Sequence, residues 1–296
     1  MKIIYGVKNI QKFPRPVVAL GVFDGLHLGH RNILKAAVKK ARQIKGTSLV
    51  LTFYPHPQQK ESLYSLEHRL RLIAELGVEV CLVVNFTHSF AKMTAQDFIA
   101  KILVKEIQAS FVYVGKNFCF GYKASGNYQL LVKNSRKYKF GLKIFEVVKY
   151  AGLSVSSTAI RKLIKESKLN QARQLLGRRV SVLGTVSRGS RLGRLIGFPT
   201  ANIRAHHEII PPVGIYAVQV VISKKKYRGV CYIGKRPTIQ ARYRTMRIEV
   251  HLLNFHKNIY GLVLEIQFIK LIRLDQKFSS LNDLSAQIKK DIRACR

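Results

Sequence analysis

Gly21-Val22-Phe23-Asp24-Gly25-Leu26-His27-Leu28-Gly29-His30 follows the apolar run Val17-Val18-Ala19-Leu20 and precedes Arg31-Asn32-Ile33-Leu34-Lys35-Ala36-Ala37-Val38-Lys39-Lys40-Ala41. The first run reads as a buried strand, and the last carries apolar residues at helical spacing. Three glycines and two histidines therefore stand at a strand-to-helix turn. Such a turn aims free backbone N–H groups and the positive end of a helix at whatever binds there. Glycine allows close approach to a phosphate, and two imidazoles can stabilise charge that develops on phosphoryl oxygens. The turn predicts a nucleotide ligand and chemistry at phosphorus. Glycine and histidine at a turn are also ordinary turn residues. The spacing His27-x-Gly29-His30 after Gly21-x-Phe23-Asp24-Gly25 favours the functional reading.

Outward from this turn, strand-like and helix-like segments alternate. Residues 48–53, 78–86, 111–114 and 142–148 read as strands. Residues 66–76, closed by Gly77, read as a helix, as do 95–104 and 127–138. Repeated β-α alternation predicts a parallel sheet covered on both faces, a Rossmann-like doubly wound domain whose ligands bind at the carboxyl ends of the strands. The pattern changes near residue 178. Helices are expected from the Ser156-Ser157-Thr158 segment and over 169–176. Short strand-like runs follow at 180–186, 215–221, 227–233, 247–253 and 262–272, the spacing of a small antiparallel barrel. Residues 281–292 form an amphipathic helix. The expected domains are 1–178 and 179–296.

Composition narrows the function classes. A length of 296 residues suits two domains, and 47% hydrophobic content supports packed cores. No apolar run is long enough to span a bilayer, and Met1-Lys2-Ile3-Ile4-Tyr5-Gly6-Val7-Lys8 lacks the apolar centre of a signal peptide. Cys81, Cys119, Cys231 and Cys295 form no Cys-x-x-Cys pair, which argues against a zinc site or a disulfide framework. The expectation is a cytoplasmic protein without a membrane partner, a monomer or weak homo-oligomer. The net charge of +37 is spread over both halves, with 30 Lys+Arg against 9 Asp+Glu in residues 1–178 and 22 against 6 in 179–296. It attracts anionic substrates, and it also raises the alternative of a nucleic-acid-binding protein. With no RGG tract, zinc finger or RNP-type aromatic motif, no specific nucleic-acid partner is expected.

Further segments carry candidate chemistry. Thr52-Phe53-Tyr54-Pro55-His56-Pro57 closes the second strand. Val114-Gly115-Lys116-Asn117-Phe118-Cys119-Phe120-Gly121 follows a later one. Ser156, Ser157, Thr158 and Arg161 suit a pyrophosphate at a helix N-terminus, or serve as an N-cap. In the second half, Gly189, Gly193 and Gly197 punctuate a loop that runs through Phe198-Pro199 into Thr200 and Asn202. The Thr200 hydroxyl and Asn202 carbonyl are hard-oxygen donors of the kind Mg²⁺ takes, or loop residues making local hydrogen bonds. Glu249, one of six acidic residues in its half, sits among apolar neighbours on a strand. It is a candidate general base on an alcohol, or the partner of a nearby arginine.

Together the motifs resemble two known domains. The opening turn alone resembles the signature of nucleotidyltransferases that move an adenylyl or cytidylyl group. The whole chain resembles the bacterial bifunctional riboflavin kinase/FAD synthetase family. The first half carries the adenylyltransferase motifs quoted above. The second carries Gly-Phe-Pro-Thr-Ala-Asn, Pro212-x-Gly214-Ile215-Tyr216, Gly234-x-Arg236-Pro237-Thr238, the Glu249 strand, Tyr260-Gly261 and residues 273–278. The resemblance implies phosphorylation of riboflavin to FMN by ATP with Mg²⁺, then adenylyl transfer from ATP to FMN, giving FAD and pyrophosphate. The alternative within enzymes is that one of the two activities is lost.

By resemblance, His27 and His30 stabilise the adenylyl transition state, and Ser156, Ser157, Thr158 and Arg161 hold the pyrophosphate. Gly21, Phe23, Asp24, Gly29 and Asn117 contact the nucleotide. In the second half Glu249 deprotonates the ribityl hydroxyl, Thr200 and Asn202 hold Mg²⁺ and phosphates, and Gly189, Gly193, Gly197, Pro199 and Arg273 line the substrates. Tyr232 stands where relatives often carry Asn. The 122–126 segment and Asn127 also depart from the usual pattern.

Overall fold

The computed structural model describes the chain except residues 9, 59–60, 190–192, 194–195, 207, 236–245 and 296. It divides into two compact units, one of Met1–Ser62 and Leu66–Ser157, the other of Leu63–Ser65 and Thr158–Arg296.

The first unit is built on β1 (Lys2–Tyr5), β2 (Val17–Leu20), β3 (Ser48–Tyr54), β4 (Val80–Asn85), β5 (Phe111–Gly115) and β6 (Gly141–Phe145), in the order β1-β4-β3-β2-β5-β6. Every neighbouring pair is parallel. Parallel strands are buried on both sides, so their sequences read as unbroken apolar runs. Val17 and Ala19 pack with Leu34, Ala37 and Ala41 of α1 (Leu28–Gln43) and with Ile73 of α2 (Leu66–Glu75). Val18 and Leu20 pack on the opposite face with Phe98, Ile99 and Leu103.

The chain winds from β2 outward through β3 to β4, then crosses back to β5 and β6. The strand order thus reverses between β2 and β5, and the crevice at such a switch point is where doubly wound sheets bind ligands. β2 ends directly into the 21–30 turn, and β5 ends directly into the Asn117 segment.

Two helices differ from expectation. α1 begins at Leu28 rather than at 31, because His27 caps it from outside and accepts from the His30 N–H. The expected helix over 95–104 is α4 (Ala95–Asp97) running into a π-helix, Phe98–Glu106, with Thr94 as N-cap. It still lays Phe98, Ile99, Ile102 and Leu103 against the sheet. Between the strands lies also the single turn α3 (His88–Ala91), and α5 (Tyr128–Tyr138) is capped by the Asn127 side chain. The hairpin β7 (Lys149–Tyr150) and β8 (Leu153–Ser154) precedes α6 (Ser157–Lys165).

The second unit is a closed antiparallel barrel followed by a helix. After α7 (Leu169–Leu176) come β9 (Ser181–Ser187), β10 (Ala201–Ala205), β11 (Gly214–Ile222), β12 (Lys225–Lys235), β13 (Met246–Leu252) and β14 (Val263–Arg273). They close in the order β10-β13-β12-β11-β14-β9. Closure leaves no free sheet edge. β10 was not expected from the sequence. It is the strand that completes the barrel between β9 and β13. The terminal helix α8 (Leu281–Arg293) is capped by Ser280, whose hydroxyl accepts from the Asp283 N–H.

Candidate active sites

The turn after β2 is held from below by a buried cation. Arg69 lies on α2, 3% exposed, and donates from Nη1 to the Val22 carbonyl at 2.6 Å. Its Nη2 donates to the Phe53 carbonyl at 3.2 Å. The Thr52 hydroxyl donates to the same Val22 carbonyl at 2.9 Å. One guanidinium thereby ties the turn after β2 to the end of β3, using the planar fork that lysine lacks. Burial pulls Arg69 below its ordinary pKa, and nearby Asp24 opposes that shift. Asp24 is itself buried, and its carbonyl accepts from the Ser157 hydroxyl at 2.8 Å.

Above this anchor the His27 and His30 rings stack with centroids 3.6 Å apart, 19° from parallel, and Phe23 meets His30 edge-on at 5.3 Å. The main chain is forced here. Phe23 and Leu26 adopt φ of 53° and 38°, a region that costs a side chain energy and is tolerated where the surroundings dictate it. Their rings and methyls are fully inside the core, at 1% and 0% exposure. The Phe23 ring is thus part of the core that shapes the turn.

Gly21 follows β2 directly, and Gly29 sits in the first turn of α1. Asn117 is exposed just after β5. Ser157 opens α6, with Ser156 just before it. Thr158 and Arg161 follow along the helix, the first exposed and the second half-buried. In the departing 122–126 segment, Lys123 and Ala124 both take left-handed φ, 51° and 56°.

Arg69 was not singled out in the sequence, since its partners lie 47 and 16 residues away. Removing it leaves the Val22 carbonyl with the Thr52 hydroxyl alone and unties the turn from the Phe53 carbonyl, and a buried polar group left unsatisfied costs about 1–3 kcal/mol. Arg69→Met is expected to slow the reaction of the first unit about 100-fold, the scale of an ångström-sized misplacement. Turnover of the barrel in the same chain should be unchanged. Separate rate measurements on the two reactions check this.

On the barrel, Glu249 in β13 stands directly opposite Asn202 in β10 and Tyr232 in β12. Ile248, Val250 and Leu252 alternate with it and are buried, so Glu249 lies on the outer face of the barrel wall. Its side chain, 14% exposed, is ion-paired with Arg247, two residues back on the same face. Both sequence readings of Glu249 remain compatible with this placement, since an arginine that orients a carboxylate leaves its second oxygen as an acceptor.

Thr200 and Pro199 line a cleft of about 510 Å³ with Val186, Leu252, Phe255 and Tyr260. The chain reaches it through Gly197, whose φ of +86° suits glycine alone without strain. The Phe198 N–H closes back onto the Gly193 carbonyl at 2.7 Å, and the Pro199 carbonyl is bonded to His251 Nδ1 at 2.9 Å. Gly189 passes so close to Asn202 that a side chain there would strike its amide. Residues 190–192 and 194–195 of this loop, and Arg236, Pro237 and Thr238, lie outside the described residues.

Arg273 ends β14 and is committed to α8. It makes a fork to Asp291, Nε to Oδ1 at 3.0 Å and Nη2 to Oδ2 at 2.9 Å, and Nη1 donates to the Leu274 carbonyl. Asp291 is 3% exposed. Breaking a buried pair on one side leaves a charge uncompensated, at about 3–5 kcal/mol. Asp291→Ala is expected to lower the thermal midpoint of the barrel by several degrees, measured by calorimetry.

Comparison with known proteins settles the family. The FAD synthetase family model matches residues 9–159, and the riboflavin kinase model matches residues 176–296. The bifunctional riboflavin kinase/FMN adenylyltransferase of Escherichia coli K12 is 37% identical, over 98% of this chain and 96% of its own length. The chain belongs to the bifunctional riboflavin kinase/FMN adenylyltransferase family. The relative from Haemophilus influenzae is 35% identical over 100% of this chain and 98% of its own length. That from Listeria monocytogenes is 37% identical over 93% and 90%.

A crystal structure described as a macrolide-efflux protein from Streptococcus pneumoniae has the same architecture. Its TM-score is 0.87 at 31% identity, covering 100% of this chain and 99% of that one. Among the described residues of this flavin-synthesising enzyme, no helix is long and apolar enough to cross a membrane. The doubly wound sheet is thus the adenylyltransferase domain and the closed barrel the kinase domain, as the motifs predicted.

Proposed function

We propose that the two domains act in series, the barrel making the substrate of the sheet. At the barrel, the 5′-hydroxyl of riboflavin attacks the γ-phosphorus of ATP and ADP leaves, giving FMN. At the switch-point crevice, the FMN phosphate attacks the α-phosphorus of a second ATP and pyrophosphate leaves, giving FAD. The working division of the chain is 1–178 for adenylyl transfer and 179–296 for the kinase.

In the kinase, Glu249 accepts the proton of the attacking hydroxyl, and Arg247 holds its carboxylate in place. Asn202, one strand away, and Thr200, at the cleft, face the phosphates. The donor set fits a hard divalent cation. Thr200 and Asn202 present neutral oxygens, and no group of three or more His, Cys, Asp or Glu side chains gathers to hold a metal among the described residues. Thr200 and Asn202 would hold Mg²⁺ together with the phosphates, and the ion would neutralise charge on the transferring phosphoryl group.

In the adenylyltransferase, the stacked His27 and His30 rings and the N–H groups at the start of α1 face the α-phosphate, and Arg69 adds a positive charge beneath them. Ser156, Ser157, Thr158 and Arg161 hold the departing pyrophosphate.

The observation that carries this reading is the convergence at the switch point. The 21–30 turn and the Asn117 segment leave adjacent strands there, with the imidazoles at the N-terminus of α1. Two labels test the scheme. Phosphorus label from the γ position of ATP should enter FMN, and label from the α position should appear only in FAD and not in FMN. Label from the α position in FMN would contradict the assignment of the two reactions. The free Cys81, Cys119, Cys231 and Cys295 suit a reducing cytoplasm.

A further inference from the structure

Tyr232 occupies the wall position next to the general base. In the register of β12 and β13 it stands opposite Glu249, and Asn202 stands opposite Glu249 on the other side, in the register of β10 and β13. Directly opposed residues share a face, so Asn202, Glu249 and Tyr232 form one row across the outer face of the barrel. The Tyr232 ring does not stand up from that face. A Cβ on Gly234, two residues along β12, would collide with the ring and its hydroxyl, so the ring lies flat along the strand over a position that only glycine leaves open. The hydroxyl donates to Asp275 Oδ2 at 3.1 Å. Asp275 lies two residues beyond Arg273, which is locked onto α8 through Asp291. The ring thus bridges the strand next to the base and the anchored segment after β14. Burial first, and then Asp275, raise the Tyr232 hydroxyl above its ordinary pKa, so it stays a neutral donor.

We propose that Tyr232 is a specificity-determining residue for the flavin, forming the wall on the acceptor side of the kinase site, with Asp275 holding its ring in place. The proposal rests on the kinase site as read above. If Asn202 faces the phosphates of ATP, an in-line transfer places the acceptor alcohol on the far side of the transferred phosphoryl group. In the row of three, the far side of Glu249 from Asn202 is Tyr232. The acceptor carries a large flat aromatic ring system, and an immobilised aromatic side chain gives it an offset or edge-on partner.

The test is a kinetic comparison in the full-length enzyme, with riboflavin and ATP each varied at saturation of the other. Tyr232→Ala is expected to raise the KM for riboflavin roughly tenfold, the scale of one lost aromatic pair and its buried area, and to leave the KM for ATP within about twofold. Tyr232→Phe keeps the ring and loses the tether, so its riboflavin KM should rise less, roughly threefold. Conversion of supplied FMN to FAD is the folding control and should be unchanged in both.

A riboflavin KM unchanged in Tyr232→Ala, or shifted together with that of ATP, overturns the proposal. If Tyr232→Ala has no kinase activity, Tyr232→Phe decides, and an unchanged riboflavin KM there overturns it. Glu249→Gln is run in parallel. If that variant still phosphorylates riboflavin at the normal rate, the reading of the kinase site has failed and the proposal falls with it. If it does not, a negative result at Tyr232 counts against Tyr232 alone.

Discussion

His30→Ala stops flavin synthesis at FMN. The His30 ring stacks on His27 and is braced edge-on by Phe23, so its place at the start of α1 is set by packing on two sides. A preorganised donor aimed at developing phosphoryl charge contributes about 2.7–4 kcal/mol, or roughly 100- to 1000-fold in rate. Truncation at Cβ also removes the stacking partner of His27 without disturbing the backbone cap, because His27 Nδ1 accepts from the His30 N–H and not from its ring. Formation of FAD from supplied FMN should fall by that factor, while phosphorylation of riboflavin continues and FMN accumulates. Normal FAD formation by His30→Ala would remove the imidazole pair from the adenylyl transfer.

Glu249→Gln gives the complementary block. Glutamine keeps the shape and a hydrogen-bonding oxygen beside Arg247 but cannot accept a proton. Loss of a positioned general base costs about 100- to 10,000-fold. The variant should make almost no FMN from riboflavin and yet convert supplied FMN to FAD at the normal rate. The two variants together should complement each other when mixed, because FMN released by one is substrate for the other. Mixed variants that yield no FAD from riboflavin would mean that FMN does not pass through solution between the sites.

Much of this architecture is legible in the sequence because local rules and tertiary demands agree. Val17-Val18-Ala19-Leu20 is apolar at every position because both faces of a parallel strand are buried, and the glycine-histidine turn follows at the carboxyl end where such sheets bind ligands. The barrel strands β11 to β14 announce themselves by alternation. β10 does not, because Ala201-Asn202-Ile203-Arg204-Ala205 has a single strongly apolar residue, and its pairing is decided by closure between β9 and β13.

The functional residues divide in the same way. His27, His30, Thr200, Asn202 and Glu249 sit in short motifs whose spacing can be read along the chain. Arg69, Asp291 and Asp275 act over distances that the sequence does not display. Arg69 looks like one more charged residue of an amphipathic helix, and only the fold turns its guanidinium inward to the Val22 and Phe53 carbonyls. Arg273, expected to line the substrates, makes a fork to Asp291, 18 residues away in sequence. The excess of 52 Lys+Arg over 15 Asp+Glu has no structural account beyond attraction of anionic substrates.

One chain carries two phosphoryl chemistries in sequence. The most direct measurement is a time course of the purified full-length protein with riboflavin, ATP and Mg²⁺, its flavins separated by chromatography. FMN should rise first and then decline as FAD appears, with no other component added. A time course in which riboflavin is left unchanged, or in which supplied FMN is never converted to FAD, would show that the chain does not carry both reactions.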